Sequence, residues 1–172
     1  MQVDYAGMTV AITNPETGEI SRGGVFVATL PASSYTYAEI QPSQELQHWL
    51  GGHVRAFSFF GGIPQTVCPD NLKSGVKTPN RYEPELNPSY QELAEHYHVA
   101  VLSARVKKPR DKAHVENSVQ NVERWVLAPL RNRTFFSVGE ANRAIARIDL
   151  GQDQLVGAND TANRNDVAAT NF

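Results

Sequence analysis

The chain predicts an α/β fold, a mixed five-stranded sheet flanked by helices in the element order βββαβαβαα. Three observations lead there. Apolar and polar residues alternate through most of the first 42 positions between turn signals, which is strand patterning. Beyond them, stretches with apolar residues at helical spacing are separated by short apolar runs, so helices and strands interleave. The 172 residues are 41% hydrophobic and 20% charged, the balance of an ordinary globular chain, and their number suits one domain with a sizeable core.

The elements follow in order. Residues 2–13 form the first strand, the Asn14-Pro15-Glu16-Thr17-Gly18 cluster turns the chain, residues 20–30 return, and residues 34–40 add a third antiparallel strand. Ser43 is the expected cap of a helix whose Leu46, Trp49, Leu50, Val54 and Phe57 share one face. Gly51-Gly52 weakens the middle of that helix, and Gly61-Gly62-Ile63-Pro64 ends it. A short strand covers Gln65-Thr66-Val67-Cys68. Residues 74–86, rich in Pro, Lys and Glu without periodicity, read as a mobile loop beside the site. Asn87-Pro88 is a cap and first-turn pair that opens a helix through Tyr97. Residues 98–106 then read as a strand, and a basic loop delivers a long helix from Lys112 to Leu130 with Val115, Val119, Val122 and Val126 as its buried stripe. Ser137 and Glu140 form a capping box before a helix carrying Val138, Ala141, Ile145 and Ile148.

Three acids sit where such elements turn carboxylates toward one point. Asp4 breaks the pattern of the first strand, Asp70 follows Pro69 at the end of the short strand, and Glu116 opens the long helix. Three carboxylates suit Mg²⁺, a hard cation that takes oxygen ligands and keeps waters for substrate phosphates, with Mn²⁺ as its substitute. Each acid also has a structural explanation, because Asp at a strand end and Glu in a first helical turn are locally favourable.

The motifs around these acids carry a resemblance. Gln2-Val3-Asp4-Tyr5-Ala6-Gly7, Pro69-Asp70-Asn71-Leu72-Lys73 and the run from Lys107 through Asp111 to Asn117 are similar, in that order, to the catalytic core of DDE transposases and retroviral-type integrases. The nearest likeness is to the IstA-like transposases of bacterial insertion sequences, and it covers residues 1–150. It implies an RNase H-like fold with Asp4, Asp70 and Glu116 as catalytic residues and metal ligands. It also implies cleavage of DNA at element ends followed by joining of 3′-hydroxyl ends to target DNA. Two ions roughly 3.5–4 Å apart would serve the attacking and leaving oxygens. A homo-oligomer and an ATP-dependent helper protein are the partners it suggests besides DNA. Family members carry DNA-binding sequence on both sides of this core, so a start at residue 2 of the first motif reads as a fragment. Residues 151–172, with one Arg, no Lys and few large apolar side chains, read as a disordered or atypical tail, the product of an altered reading frame being one origin.

Charge placement supports a nucleic-acid partner even though the net charge is −2. Residues 1–104 carry a net −5 and residues 105–133 a net +5, so the basic segment runs directly into Glu116. Lys73, Lys107, Lys108, Arg110, Lys112, Asn117, Gln120 and Arg124 are the DNA-contact candidates, held against backbone phosphates. The alternative is a solvated charged loop. No apolar stretch approaches the roughly 18 residues of a membrane span, and no basic region followed by an apolar one opens the chain, so a cytoplasmic location without a membrane partner is the default.

Other chemistries lose support on residue grounds. The lone Cys68 excludes an internal disulfide and any multi-cysteine zinc site, and reads as a small buried hydrophobe. His114-Val115-Glu116 matches the His-x-Glu of zinc deaminases, but those need a Pro-Cys-x-x-Cys partner. His96 and His98 have no third ligand nearby in sequence and read as a surface pair. Trp49 and Trp125 lie on apolar helix faces and read as core. Two rival functions stay open: a nuclease of the same fold that only hydrolyses, and a non-catalytic DNA-binding or assembly remnant of a decayed element.

Overall fold

A computed structural model of the chain describes residues 1–69, 76–78, 85–102, 120 and 122–147. Its first three strands, β1 (Gln2–Thr13), β2 (Ile20–Leu30) and β3 (Tyr35–Gln41), form an antiparallel meander. The first turn works as its residues suggest. Asn14 Oδ1 accepts the backbone N–H of Glu16 and Thr17, and Gly18 takes a φ of 73° that a side chain would oppose. Ser34 stands in the left-handed region at φ 56°, so β3 begins at Tyr35 rather than at residue 34.

Helix α1 (Leu46–Phe60) crosses back over the sheet. Its N-cap is Glu45, not Ser43; the Ser43 hydroxyl instead accepts the Glu45 N–H at 3.3 Å, closing a small turn one step earlier. Gly61, at φ 69°, ends the helix, with its own N–H and that of Gly62 returning to the Ser58 and Phe57 carbonyls. Strand β4 (Thr66–Pro69) follows. Two short strands, β5 (Val76–Thr78) and β6 (Glu85–Leu86), pair antiparallel within the stretch expected to be a loop. Backbone hydrogen bonding alone makes such a ribbon, and side-chain periodicity does not announce it.

Helix α2 (Pro88–His96) starts as predicted: Asn87 Oδ1 accepts the Ser89 N–H at 3.0 Å and Pro88 fills the first turn. His98 then adopts φ 52°, so β7 (Ala100–Val101) begins two residues later than the sequence suggested. Of the long helix expected over 112–130, the described part is Gln120 and a segment termed α3 here, a wide π-type turn over Val122–Leu127 running into an α-turn over Ala128–Leu130. Pro129, which has no N–H to donate, sits in the first turn of the α part, where none is needed. The last helix, α4 (Val138–Ala146), carries the predicted cap: Ser137 Oγ accepts the Glu140 N–H at 3.0 Å. The Glu140 carboxylate returns to the N–H of Phe136 at 2.9 Å, one residue before the position a capping box uses.

The five-stranded sheet has the order β3-β2-β1-β4-β7, with β4 parallel to β1 and β7 parallel to β4. Two cores lie on its opposite faces. On one face Val3, Phe26, Ala28, Tyr37 and Val67 pack against Trp49, Ala56 and Phe57 of α1 and Ala94 of α2. On the other, Val25, Val27, Ala38 and Ile40 pack against Val122, Leu127 and Leu130 of α3, Phe135, and Ala141, Ala144 and Ile145 of α4. The result is a three-layer α/β/α arrangement, as the sequence predicts, with each fully buried large side chain contributing roughly 1.5–3 kcal/mol. Trp49 is core, at 2% exposure, whereas Cys68 is only partly buried. His96 and His98 are exposed, as expected. Among the described residues, no helix is long and apolar enough to cross a membrane. Residues 148–172, including the expected tail, lie outside the described residues.

Candidate nucleic-acid-processing site

Asp4 is placed by strand register. Its Cα partner on β2 is Val27, and residues opposite one another on an antiparallel pair share a face. Val27 is fully buried in the cluster with α3 and α4, so Asp4 stands on the α3 side of the sheet, partly exposed, while its neighbour Tyr5 stands on the α1 side. Asp4 Oδ1 accepts the N–H of Tyr5 at 2.8 Å, which orients the carboxylate. The parallel ladder between β1 and β4 pairs Gln2 with Cys68 and Val3 with Pro69. Its last described rung is therefore the residue before Asp4 on one strand and the residue before Asp70 on the other.

Tyr5 anchors β1 to the opposite layer. Its hydroxyl donates to Gln41 Oε1 at 2.6 Å, and Gln41 Nε2 donates to Glu39 Oε1 at 2.5 Å. The Glu39 carboxylate, 3% exposed, further accepts the Tyr37 hydroxyl at 2.7 Å and a two-pronged contact from Arg55, Nε at 2.6 Å and Nη2 at 2.7 Å. A buried carboxylate survives because every lone-pair direction is answered by a donor, two of them cationic. Burial, reinforced by the Glu39 charge, raises the Tyr5 and Tyr37 hydroxyls above the ordinary tyrosine range. The Arg55 guanidinium is raised as well, chiefly by its hydrogen bonds to Glu39. Both phenols thus stay protonated and donate. Behind them His53, fully buried, accepts from Tyr90 through Nε2 at 3.0 Å and donates from Nδ1 to the Trp49 carbonyl at 2.8 Å. Burial lowers its pKa to about 4, which keeps the ring neutral and is consistent with that tautomer.

Beyond Tyr5 the strand is irregular. Tyr5 pairs with Phe26 and Thr9 with Gly24, so β1 spends three residues, Ala6, Gly7 and Met8, where β2 spends one. Glu123 of α3 meets this bulge: its Oε1 accepts the Met8 N–H at 3.2 Å and would lie 3.6 Å from a side-chain carbon added at Gly7. At the far end of β1, the Thr13 N–H donates to the Phe135 carbonyl at 2.8 Å and Ile12 bridges Phe135, tying the strand to the segment between α3 and α4.

Of the other candidate residues, Gln120 and Arg124 are exposed at and near the start of α3. Asp70, Glu116, Lys73, Lys107, Lys108, Arg110, Lys112 and Asn117 lie outside the described residues, as does the side chain of Trp125. Among the described residues no cluster of three or more His, Cys, Asp or Glu is positioned to hold a metal. The set Asp4, Asp70 and Glu116 offers only carboxylate oxygen, the donor chemistry a hard divalent cation takes. The sequence reading missed Glu123 and the Glu39 network. Glu39 lies in an alternating strand at a position the pattern assigns inward, the one signal that it needed a partner.

Sheet order and layers together define the RNase H-like fold of integrase catalytic cores. The structure matches the catalytic core domain of BIV integrase with a TM-score of 0.53 at 10% identity, over 85% of this chain and 82% of that one. It matches the HTLV-2 integrase catalytic core domain in complex with magnesium, in its dimeric form, with a TM-score of 0.51 at 14% identity, over 89% of each chain. At such identities the likeness is one of fold.

By sequence the chain is similar to transposases. The chain is 49% identical over 148 residues to the "Putative transposase y4bL/y4kJ/y4tB" of Sinorhizobium fredii, and 47% identical over 152 residues to the "Putative transposase for insertion sequence IS1162" of Pseudomonas fluorescens. It is 28% identical over 145 residues to the "Transposase for insertion sequence element IS21" of Pseudomonas aeruginosa. These alignments take in 86%, 87% and 84% of this chain but 29%, 27% and 36% of the relatives' own lengths. No protein-family model matches the sequence.

Proposed function

We propose that this chain is the catalytic core of an IstA-like insertion-sequence transposase, cleaving DNA at element ends and joining the 3′-hydroxyl ends to target DNA. The observation that carries the reading is the β1–β4 ladder, whose rung Val3↔Pro69 immediately precedes Asp4 and Asp70 on adjacent parallel strands. The third acid, Glu116, precedes by six residues the helix that covers the same sheet face as Asp4. Similarity to transposases across most of the chain supports the same assignment.

In this reading Asp4, Asp70 and Glu116 hold Mg²⁺, with Mn²⁺ able to replace it, and the magnesium in the HTLV-2 integrase core supports that choice. Bound there, divalent cations supply positive charge to the attacking and leaving oxygens of phosphoryl displacement. The chain's own residues orient and exclude. Tyr5 positions Asp4 through its N–H and fixes the strand through Gln41. Lys73, Lys107, Lys108, Arg110, Lys112, Asn117, Gln120 and Arg124 hold the DNA backbone, giving affinity and register rather than sequence choice. The working unit is a homo-oligomer in the cytoplasm, assisted by an ATP-dependent helper protein.

The test is metal-dependent nicking and strand transfer by the parent and by Asp4→Asn, Asp70→Asn and Glu116→Gln. Each variant removes a charged ligand with little change of volume, so each is expected to fold normally and to lose both activities by at least about a hundredfold. Parental nicking by a folded Asp70→Asn protein would refute the assignment. Nicking without joined products would leave a hydrolytic nuclease, and inactivity of the parent with retained DNA binding would leave a binding remnant.

A further inference from the structure

Two backbone irregularities face each other across the α3 side of the sheet. One is the bulge that puts Ala6, Gly7 and Met8 opposite a single β2 position, two residues beyond Asp4. The other is the π-type turn Val122–Leu127, which begins six residues after Glu116. Each inserts backbone that regular pairing leaves unanswered, and both kinds of insertion re-aim neighbouring side chains. Apolar packing joins them, because Ala6, Val122 and Leu127 are buried in one cluster, with Val122 and Leu127 brought to one side by their five-residue spacing. A polar link spans them: the Met8 N–H, which the bulge takes out of the ladder, donates to Glu123 Oε1 at 3.2 Å. A side-chain carbon at Gly7 would stand in ordinary van der Waals contact with the carboxylate, 3.6 Å away, so the link rests on the bulged backbone rather than on glycine.

We propose that Glu123 is a positioning residue that ties the helix following Glu116 to the bulged strand carrying Asp4, and so sets the spacing of the carboxylates that bind the divalent cation. This rests on the transposase-core reading for the role of Asp4 and Glu116. Glu123 does its work as a hydrogen-bond acceptor. Met8 and Glu123 are 115 positions apart, so tertiary contacts fix the strand that carries Asp4 relative to α3. Apolar packing within the cluster that holds Ala6 and Val122 resists compression but slides easily, whereas a directional bond from a strand N–H to a helix carboxylate resists sliding.

The test uses the full chain as parent, Glu123→Ala, Glu123→Gln and Asp4→Asn, with two readouts independent of turnover. Hydrogen exchange at the Met8 amide reports the bond, and the free-ion electron paramagnetic resonance signal reports Mn²⁺ binding. Glu123→Ala is expected to speed Met8 exchange about tenfold. It is also expected to weaken Mn²⁺ binding about tenfold, the loss usual when the group orienting a metal ligand is removed. Glu123→Gln keeps an acceptor oxygen and should restore both to within about threefold of the parent, the remainder being the lost long-range charge. Should the alanine variant fail to fold, Glu123→Leu repeats the comparison with the side-chain stem retained. Parental Mn²⁺ affinity in Glu123→Ala, beside its loss in Asp4→Asn, would overturn the positioning role while leaving the metal site standing. A glutamine variant as weak as alanine despite a protected Met8 amide would overturn it too, making the carboxylate charge the agent. Parental affinity in Asp4→Asn would remove the metal reading and this proposal with it.

Discussion

Gly52→Ala sets two opposing terms against each other at the seam between α1 and the sheet. Alanine is favoured over glycine in a helix interior by about 1 kcal/mol. Against that, a Cβ at this position would stand 2.6 Å from Gln41 Nε2 and 3.1 Å from two atoms of the Phe26 ring. Neither neighbour can yield cheaply. Phe26 is fully buried, and Gln41, 1% exposed, is held at both ends by Glu39 and by the Tyr5 hydroxyl. Moving the amide gives up one bond to a carboxylate, worth about 1.5–3 kcal/mol, and one neutral bond, worth about 1 kcal/mol. Shifting the helix instead incurs the usual overpacking cost of about 1–3 kcal/mol. The net expectation is a loss of about 2 kcal/mol, which for a chain of this size lowers Tm by about 4–8 °C. Gly51→Ala is the internal control. Its Cβ would meet the far end of Arg55, with Nη1 at 2.9 Å and Nη2, which donates to Glu39, at 3.3 Å, a flexible and partly exposed side chain rather than a buried ring. That variant should be less destabilised than Gly52→Ala, the helix gain of about 1 kcal/mol offsetting part of the shift Arg55 must make. Urea unfolding of the three proteins decides it, and equal midpoints for the two glycine variants would refute the close-approach reasoning.

Two further outcomes follow from the same structure and from the basic segment. His53 has a folded pKa of about 4 against an ordinary 6.5, so between those values the unfolded chain holds a proton the folded one does not. Stability should therefore be complete above about pH 6.5 and fall by on the order of 1.4 kcal/mol per unit as the pH drops toward 4. Unfolding free energies measured across pH 4–7 should show that slope in the parent and lose it in His53→Gln; an unchanged slope would assign it to other groups. For the basic segment, replacing Lys107 and Lys108 by alanine should flatten the dependence of log K for DNA on log salt by about 0.9 per lost phosphate contact. An unchanged slope would mean that these side chains are merely solvated.

The meander was legible almost residue by residue because its signals are local. Asn14 and Gly18 fix the turn, and alternation sets which side of β2 and β3 faces which core. The caps at Asn87 and Ser137 were equally legible, since a capping side chain reaches only two or three residues. The departures came where a local competitor claimed the same side chain or where the partner lay far along the chain. Ser43 has the chemistry of a cap, but it closes a turn ahead of Glu45 and the helix starts later. The 112–130 periodicity assumes a regular α-helix, whereas Val122–Leu127 is a π-type turn in which Val122 and Leu127, five positions apart, are both buried. For the site, the motif order named Asp4, and the register shows why it stands on the α3 face. Glu123 carried no such signal, because its partner is the backbone of Met8, 115 positions away, and a backbone N–H has no residue type to read.

The two faces of the sheet therefore divide the work of holding Asp4. On the α1 face, Tyr5, Gln41, Glu39 and Arg55 form a polar chain in which each donor has an acceptor, embedded among Phe26, Tyr37 and Trp49. Such a satisfied network has one arrangement, and β1 is tied into it through the Tyr5 hydroxyl. The described part of the α3 face has more irregular backbone, a bulge and a π-type turn with the Glu123 carboxylate between them. A strand fixed from behind and adjusted from the front can keep the Asp4 carboxylate in register. That asymmetry predicts different consequences for equal losses of bonding. Weakening the Glu39 network should lower stability before it touches metal affinity, whereas loosening Glu123 should lower metal affinity with little effect on stability. Measured on the same variants, the ratio of the two changes separates the layers, and equal ratios on both faces would show that the sheet responds as one body.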